Sequence, residues 1–96
     1  MKNKDQILIR IIKLIEQGEK FSAGDFLLDF PNGERSVAAQ TWLGQSVIVI
    51  NVALPASHPF RKQAAAYFAG GGLLGVQGML ALLKGLALEI EAGTFD

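Results

Sequence analysis

Ninety-six residues supply one domain and leave no room for a second. Half of them are hydrophobic, which excludes a disordered tail, and nine Lys plus Arg balance nine Asp plus Glu, which excludes a basic nucleic-acid glove and an acidic decoy. The absence of cysteine excludes disulfides, a thiol nucleophile and a thiolate metal site, and the single histidine excludes a histidine-rich one.

The first residues, Met1–Asp5, are charged and polar, and Arg10 and Lys13 interrupt the apolar residues that follow. This is not the continuous apolar stretch of a signal peptide, so the expected compartment is the cytoplasm. Asn3 stands where a helix N-cap is needed, with Gln6 in capping-box spacing. Leu8, Ile11, Ile12 and Ile15 repeat at helical spacing, with Gln6, Arg10, Lys13 and Gln17 as the wet face and Gly18 as the stop.

Residues 19–35 read as an irregular connection. Phe21, Phe26, Leu27, Leu28 and Phe30 are expected to plug the core, Ser22 or Asp25 to start a short turn of helix, and Pro31-Asn32-Gly33 to form a turn. A second helix is expected from Ser36, its N-cap, to Leu54. Leu43, Val47, Ile50 and Leu54 form its apolar stripe, widened by Trp42, Val49 and Ala53. Thr41 and Gln45 mark a weak polar face on which Ile48 and Val52 intrude. The β-branched run Val47–Ile50 equally suits a buried strand, but the length of the pattern and the lack of turn residues favour helix.

Pro55 ends that element. Ser57 is placed to cap a third helix running to about Ala69, with His58, Pro59 and Phe60 in its first turn and Arg61 and Lys62 facing water. Gly70-Gly71-Gly72 breaks the chain. A fourth helix, Leu73–Ala92, is apolar almost all round, with Gly93 as its stop. Leu73, Val76, Leu80, Leu83, Ala87 and Ile90 form one stripe. Gly71, Gly75, Gly78, Leu82 and Gly85 form a second, small-residue face that lets a neighbouring backbone approach closely.

No residue constellation supports catalysis. Gly70, Gly72 and Gly75 spell the glycine pattern of a dinucleotide loop, but the strand that such a loop follows is replaced by a helix, and no acidic residue stands in a strand-end context about 20 residues on. Ser57 and His58 lack an orienting third group, and His58 precedes Arg61, the reverse of the Arg–His order of helical ribonucleases. Glu89 and Glu91 face different sides of a helix. No cofactor or metal is expected.

The distribution of charge is the unusual feature. Residues 1–35 carry twelve of the eighteen charged side chains, whereas residues 36–83 carry only Arg61 and Lys62. A domain of this size leaves much of its surface wet, so a second copy, a protein partner or a lipid is expected to cover part of that run.

Three segments also carry a resemblance: Leu14–Lys20 closing helix one; Trp42 with the apolar helix behind it and Leu54–Phe60; and Gly75–Lys84 with Glu89–Gly93. Together they resemble a small helical domain at the N-terminus of prokaryotic defence-type proteins, where it precedes TIR-like or abortive-infection effector domains. The resemblance implies a helical accessory module that senses, docks or oligomerises, and it carries no catalytic residue over. The chain departs from that pattern in that only Thr94, Phe95 and Asp96 follow Gly93, which reads as a stand-alone version or a domain boundary.

The expectation is an all-α, single-domain bundle of about four helices over residues 1–96, with helix four central. Its function is expected to be non-enzymatic self-association or docking, through a face made of Trp42, Val49, Gly71, Gly75, Gly78 and Gly85. Two alternatives remain. A winged-helix DNA-binding protein would use Glu34–Gly44 as recognition helix and Val47–Leu54 as wing strand, although Arg35 is the only positive charge on that recognition helix. A small membrane-associated protein would use Tyr67–Leu83, seventeen residues with Gln77 and five glycines, at the short limit for a ~30 Å hydrocarbon core.

Overall fold

Proline and glycine punctuate the chain where its helices stop. The structure, a computed structural model, describes residues 1–21 and 34–96, and contains four helices among them. These are α1 (Lys4–Gly18), α2 (Glu34–Ala53), α3 (Pro59–Gly70) and α4 (Gly72–Glu91). There is no strand among the described residues. Phe26, Leu27, Leu28, Phe30, the Ser22 or Asp25 start and the Pro31-Asn32-Gly33 turn lie outside the described residues.

The molecule is an all-α bundle. α2 and α4 pack against each other, and each also packs against both α1 and α3, while α1 and α3 do not meet. The centre is therefore shared by two helices, where the sequence suggests α4 alone. The four form a flat slab of 43 × 23 × 16 Å. Ile11, Leu43, Ile50, Val76, Met79, Leu83, Leu86 and Ile90 fill its core and are almost completely withdrawn from solvent.

Five local details differ from the sequence reading. Asn3 precedes α1 but adopts a left-handed conformation (φ 60°) and makes no side-chain cap. The buried stripe of α1 is Ile7, Ile11, Leu14 and Gly18, rotated from the expected one, so Ile12 is exposed. Gly18 is not a left-handed stop either. It lies beneath the Trp42 indole, which a Cβ at this position would overlap. The α3 cap is His58 and not Ser57: the Phe60 backbone N–H donates to His58 Nδ1 at 3.1 Å, with Pro59 in the first turn. α2 starts at Glu34, two residues ahead of Ser36.

The glycine punctuation follows the expected pattern. Gly71 and Gly72 take φ of 62° and 64° and let α4 start directly where α3 ends. Gly93 (φ 80°) closes α4: its N–H donates to the Ile90 carbonyl and the Thr94 N–H to the Glu89 carbonyl, the paired bonds of a Schellman cap.

Beyond that cap, Lys4 Nζ reaches Asp96 Oδ2 at 3.0 Å. This hydrogen bond is the main reason the Asp96 carboxyl sits below its ordinary pKa. A carboxyl lowered by folding stabilises the fold above the unfolded pKa, and that contribution is lost as pH falls through the folded value. An NMR pH titration is expected to place the Asp96 midpoint below that of a free aspartate, and Lys4→Met to move it back up. An unmoved midpoint in Lys4→Met would show that the pair does not form in solution.

Candidate interaction surface

Trp42 links α2 to the end of α1. Its ring covers Gly18, its Nε1–H donates to the Leu14 carbonyl at 2.7 Å, and the Phe21 ring meets it edge-on at 6.0 Å. Only 3% of Trp42 remains accessible. One turn on, the Ser46 hydroxyl donates to the Trp42 carbonyl, so this buried hydroxyl is satisfied. Val49 is buried on the same side of α2, at the floor of a groove lined by Arg10, Lys13, Gln17 and Gln45.

The glycines of α4 divide into two groups. A Cβ at Gly75 would stand 2.7 Å from the Tyr67 carbonyl oxygen, and one at Gly78 would overlap the Tyr67 ring. These two glycines are the seat of α3 on α4. Gly71 sits at the α3–α4 junction, where its N–H donates to the Tyr67 carbonyl. A Cβ at Gly85 would meet no other part of the described residues. Of the face expected to bind a partner, Trp42, Val49, Gly71, Gly75 and Gly78 are therefore occupied by the chain's own packing, and Gly85 is open. The expected surface is corrected accordingly: Trp42 and Val49 are buried within one copy, Val49 at the floor of the groove beside α1, so neither projects from the surface.

What the bundle leaves open lies on two opposite faces, because α2 and α4 turn their inner sides toward each other. On one face α2 presents Val37, Thr41, Ile48 and Val52 along one stripe, beside Phe68 of α3 lying over Gly44. This stripe carries no charge, and its polar members are Thr41 and the neighbouring Gln45 and Asn51. On the other face α4 presents Leu74, Ala81, Gly85, Leu88 and Ala92. Leu74 is 81% accessible and Leu88 67%, the two most exposed large hydrophobic residues described.

α1 borders that second face. It runs antiparallel to α4, as three contacts show: Gly18 lies against Leu80, Glu19 pairs with Lys84 at 2.9 Å, and Lys4 pairs with Asp96. Lys4, Leu8, Ile12, Ile15 and Glu19 form one row at helical spacing, which places the exposed Ile12 on the edge nearest Leu88.

Sequence reasoning identified Ile48 and Val52 as intruders on a polar face, and both are exposed. It missed Leu74 and Leu88, which belong to neither of the two stripes read on helix four. The signal was present as a seven-residue repeat, Leu74–Ala81–Leu88.

The remaining polar features have structural partners. His58 Nδ1 is engaged by the Phe60 N–H, and its ring packs edge-on against Phe60 and Phe95 at 4.9 and 5.8 Å. Arg61 Nε donates to Asn51 Oδ1 at 3.0 Å. The Gly70, Gly72 and Gly75 pattern joins two helices and follows no strand. The segment that a DNA-binding wing requires, Val47–Leu54, is helical to Ala53, so the winged-helix alternative loses its wing. α4 is long and apolar enough to cross a membrane by length and composition, with mean hydropathy 1.6 and 44% of that stretch buried in the bundle.

Searches with protein-family models, among curated proteins and among solved structures return no match to this chain.

Proposed function

We propose that this protein is a non-enzymatic helical interaction module that associates with itself through the charge-poor faces of its bundle. One observation carries the reading: Leu74 and Leu88 project from α4 mostly into water, with Ala81 and Gly85 between them. Isolated exposed apolar residues are ordinary on a protein surface, but a row of them along a 20-residue helix is the usual mark of a contact surface. The same reading accommodates the accessory role implied by the resemblance to domains of prokaryotic defence-type proteins, in which assembly is the module's contribution and chemistry belongs elsewhere.

Mass in solution tests it. Light scattering at two concentrations is expected to give a mass above the 10.3 kDa of one chain, rising with concentration. A monodisperse monomer at high micromolar concentration would remove the proposal. Mass that appears only in detergent would instead favour the membrane-associated alternative, for which the length and hydropathy of α4 are the supporting observation.

A further inference from the structure

The α4 face has a register that fits a second copy of itself. Leu74 and Leu88 each lie seven residues from Ala81, one before it and one after, on the same exposed stripe. Gln77 and Gly85 each lie four residues from Ala81. If two α4 helices are laid antiparallel with their Ala81 residues on a common two-fold axis, Leu74 of each copy meets Leu88 of the other. Gln77 of each is then level with Gly85 of the other, a glycine whose added Cβ would meet none of the described residues. A stripe that is its own complement under a two-fold rotation is the requirement for an isologous dimer, the commonest protein assembly.

Charge selects the antiparallel arrangement. The charged residues of α4 are Lys84, Glu89 and Glu91. A parallel pair would bring Lys84, one turn from Ala81 at the edge of the stripe, level with its own copy, a like-charge approach that opposes association. The antiparallel pair sets Lys84 opposite Gly78 and Glu89 opposite Leu73, so within α4 no like charges are brought level. A standard interface takes ~800 Å² from each partner, which within a face of 43 × 23 Å requires the flanking sides of α1 and α3 to join the α4 stripe in the contact. The α2 stripe is also symmetric, about the midpoint of Gly44 and Gln45, but its two-fold pairing sets the polar Thr41 against Ile48, and Phe68 of α3 lies over Gly44 at its centre, so the α4 stripe is the more apolar of the two.

We propose that a second copy of this chain covers the α4 face, as an antiparallel α4–α4 dimer centred on Ala81 and bordered by Ile12. This rests on the self-association proposed above and names its partner surface.

The absence of cysteine makes the test direct. Ala81→Cys is expected to form a disulfide-linked dimer on mild oxidation, because a residue on the two-fold axis meets its own copy within the ~4.4–6.8 Å Cα separation of a disulfide. Leu74→Cys alone is expected not to cross-link, its two copies lying about 21 Å apart along the helix pair. Mixing Leu74→Cys with Leu88→Cys is expected to give the mixed dimer. Ile48→Cys, on the α2 face, is expected to stay unlinked. Ala81→Glu, at an exposed position, is expected to keep the helical circular dichroism spectrum and weaken association at least about 100-fold by placing like charges on the axis. A dimeric wild type in which Ile48→Cys links and Ala81→Cys does not would overturn this arrangement while leaving self-association standing. A wild type that stays monomeric at high micromolar concentration would overturn both.

Discussion

Trp42→Ala is expected to lower the free energy of unfolding by about 3–5 kcal/mol, the usual range for truncating a buried aromatic side chain. Three separate contacts end with the ring: the cover over Gly18, the Nε1–H bond to the Leu14 carbonyl, and the edge-on packing of Phe21. All three tie α2 to the end of α1, and a domain this small has a total stability of roughly 5–15 kcal/mol. Urea unfolding followed by circular dichroism measures the effect. Trp42→Phe keeps most of the ring but removes the donor, and is expected to fall between the two, about 1 kcal/mol of its loss belonging to the missing hydrogen bond. If Trp42→Ala lost less than about 1 kcal/mol, Trp42 would not be the tie between these helices.

Trp42 also shows where reading the sequence succeeded and where it failed. Its place on the apolar side of α2 was legible, because Leu43, Val47, Ile50 and Leu54 set the buried direction of that helix and Trp42 and Val49 lie beside it. What covers the ring was not legible. The shortage of charge between residues 36 and 83 suggested a partner, but uncharged polar side chains (Gln40, Thr41, Gln45, Asn51, Gln63, Gln77) wet the outside of the bundle without ionised groups. A low charge count therefore left enough polar surface for the chain to enclose Trp42 itself.

The rotation of α1 was hidden for a different reason. Its residues Ile7, Leu8, Ile9, Ile11, Ile12, Leu14 and Ile15 are aliphatic over more than half the helix circumference, so several stripes fit a period of 3.6. Tertiary packing chooses among them, and Gly18 decides. It lies four residues after Leu14 and seven after Ile11, on the only side where the backbone comes close enough to the Trp42 ring. By sequence Gly18 reads as a stop signal because glycine ends helices often, whereas its backbone here is not left-handed. The exposed Ile12 follows directly from that rotation, and it moves a large aliphatic side chain from the presumed core to the border of the α4 face.

Alanine at Gly75 and alanine at Gly85 are expected to have effects of opposite sign, although the two positions lie in one helix ten residues apart. By helix propensity alone each change should gain up to about 1 kcal/mol. At Gly75 the new methyl would come within 2.7 Å of the Tyr67 carbonyl oxygen. That oxygen belongs to the α3 backbone and already accepts the Gly71 N–H, so it cannot rotate aside as a side chain would. α3 must move off α4, and Gly75→Ala is expected to cost about 1–3 kcal/mol, the range for overpacking a close contact. At Gly85 none of the described residues lies within reach of the methyl, and Gly85→Ala is expected to stabilise the single copy by about 0.5–1 kcal/mol. The two denaturation midpoints, measured by circular dichroism at a concentration low enough to keep the chain monomeric, decide the matter. Equal shifts in the same direction would show that Tyr67 does not hold α3 down on Gly75. The same Gly85→Ala protein carries a second measurement. In an antiparallel α4 pair the added methyl narrows the space that Gln77 of the other copy enters, so the substitution that strengthens the monomer is expected to weaken the dimer. Helix propensity offers no route to that reversal; a second copy lying close to Gly85 does.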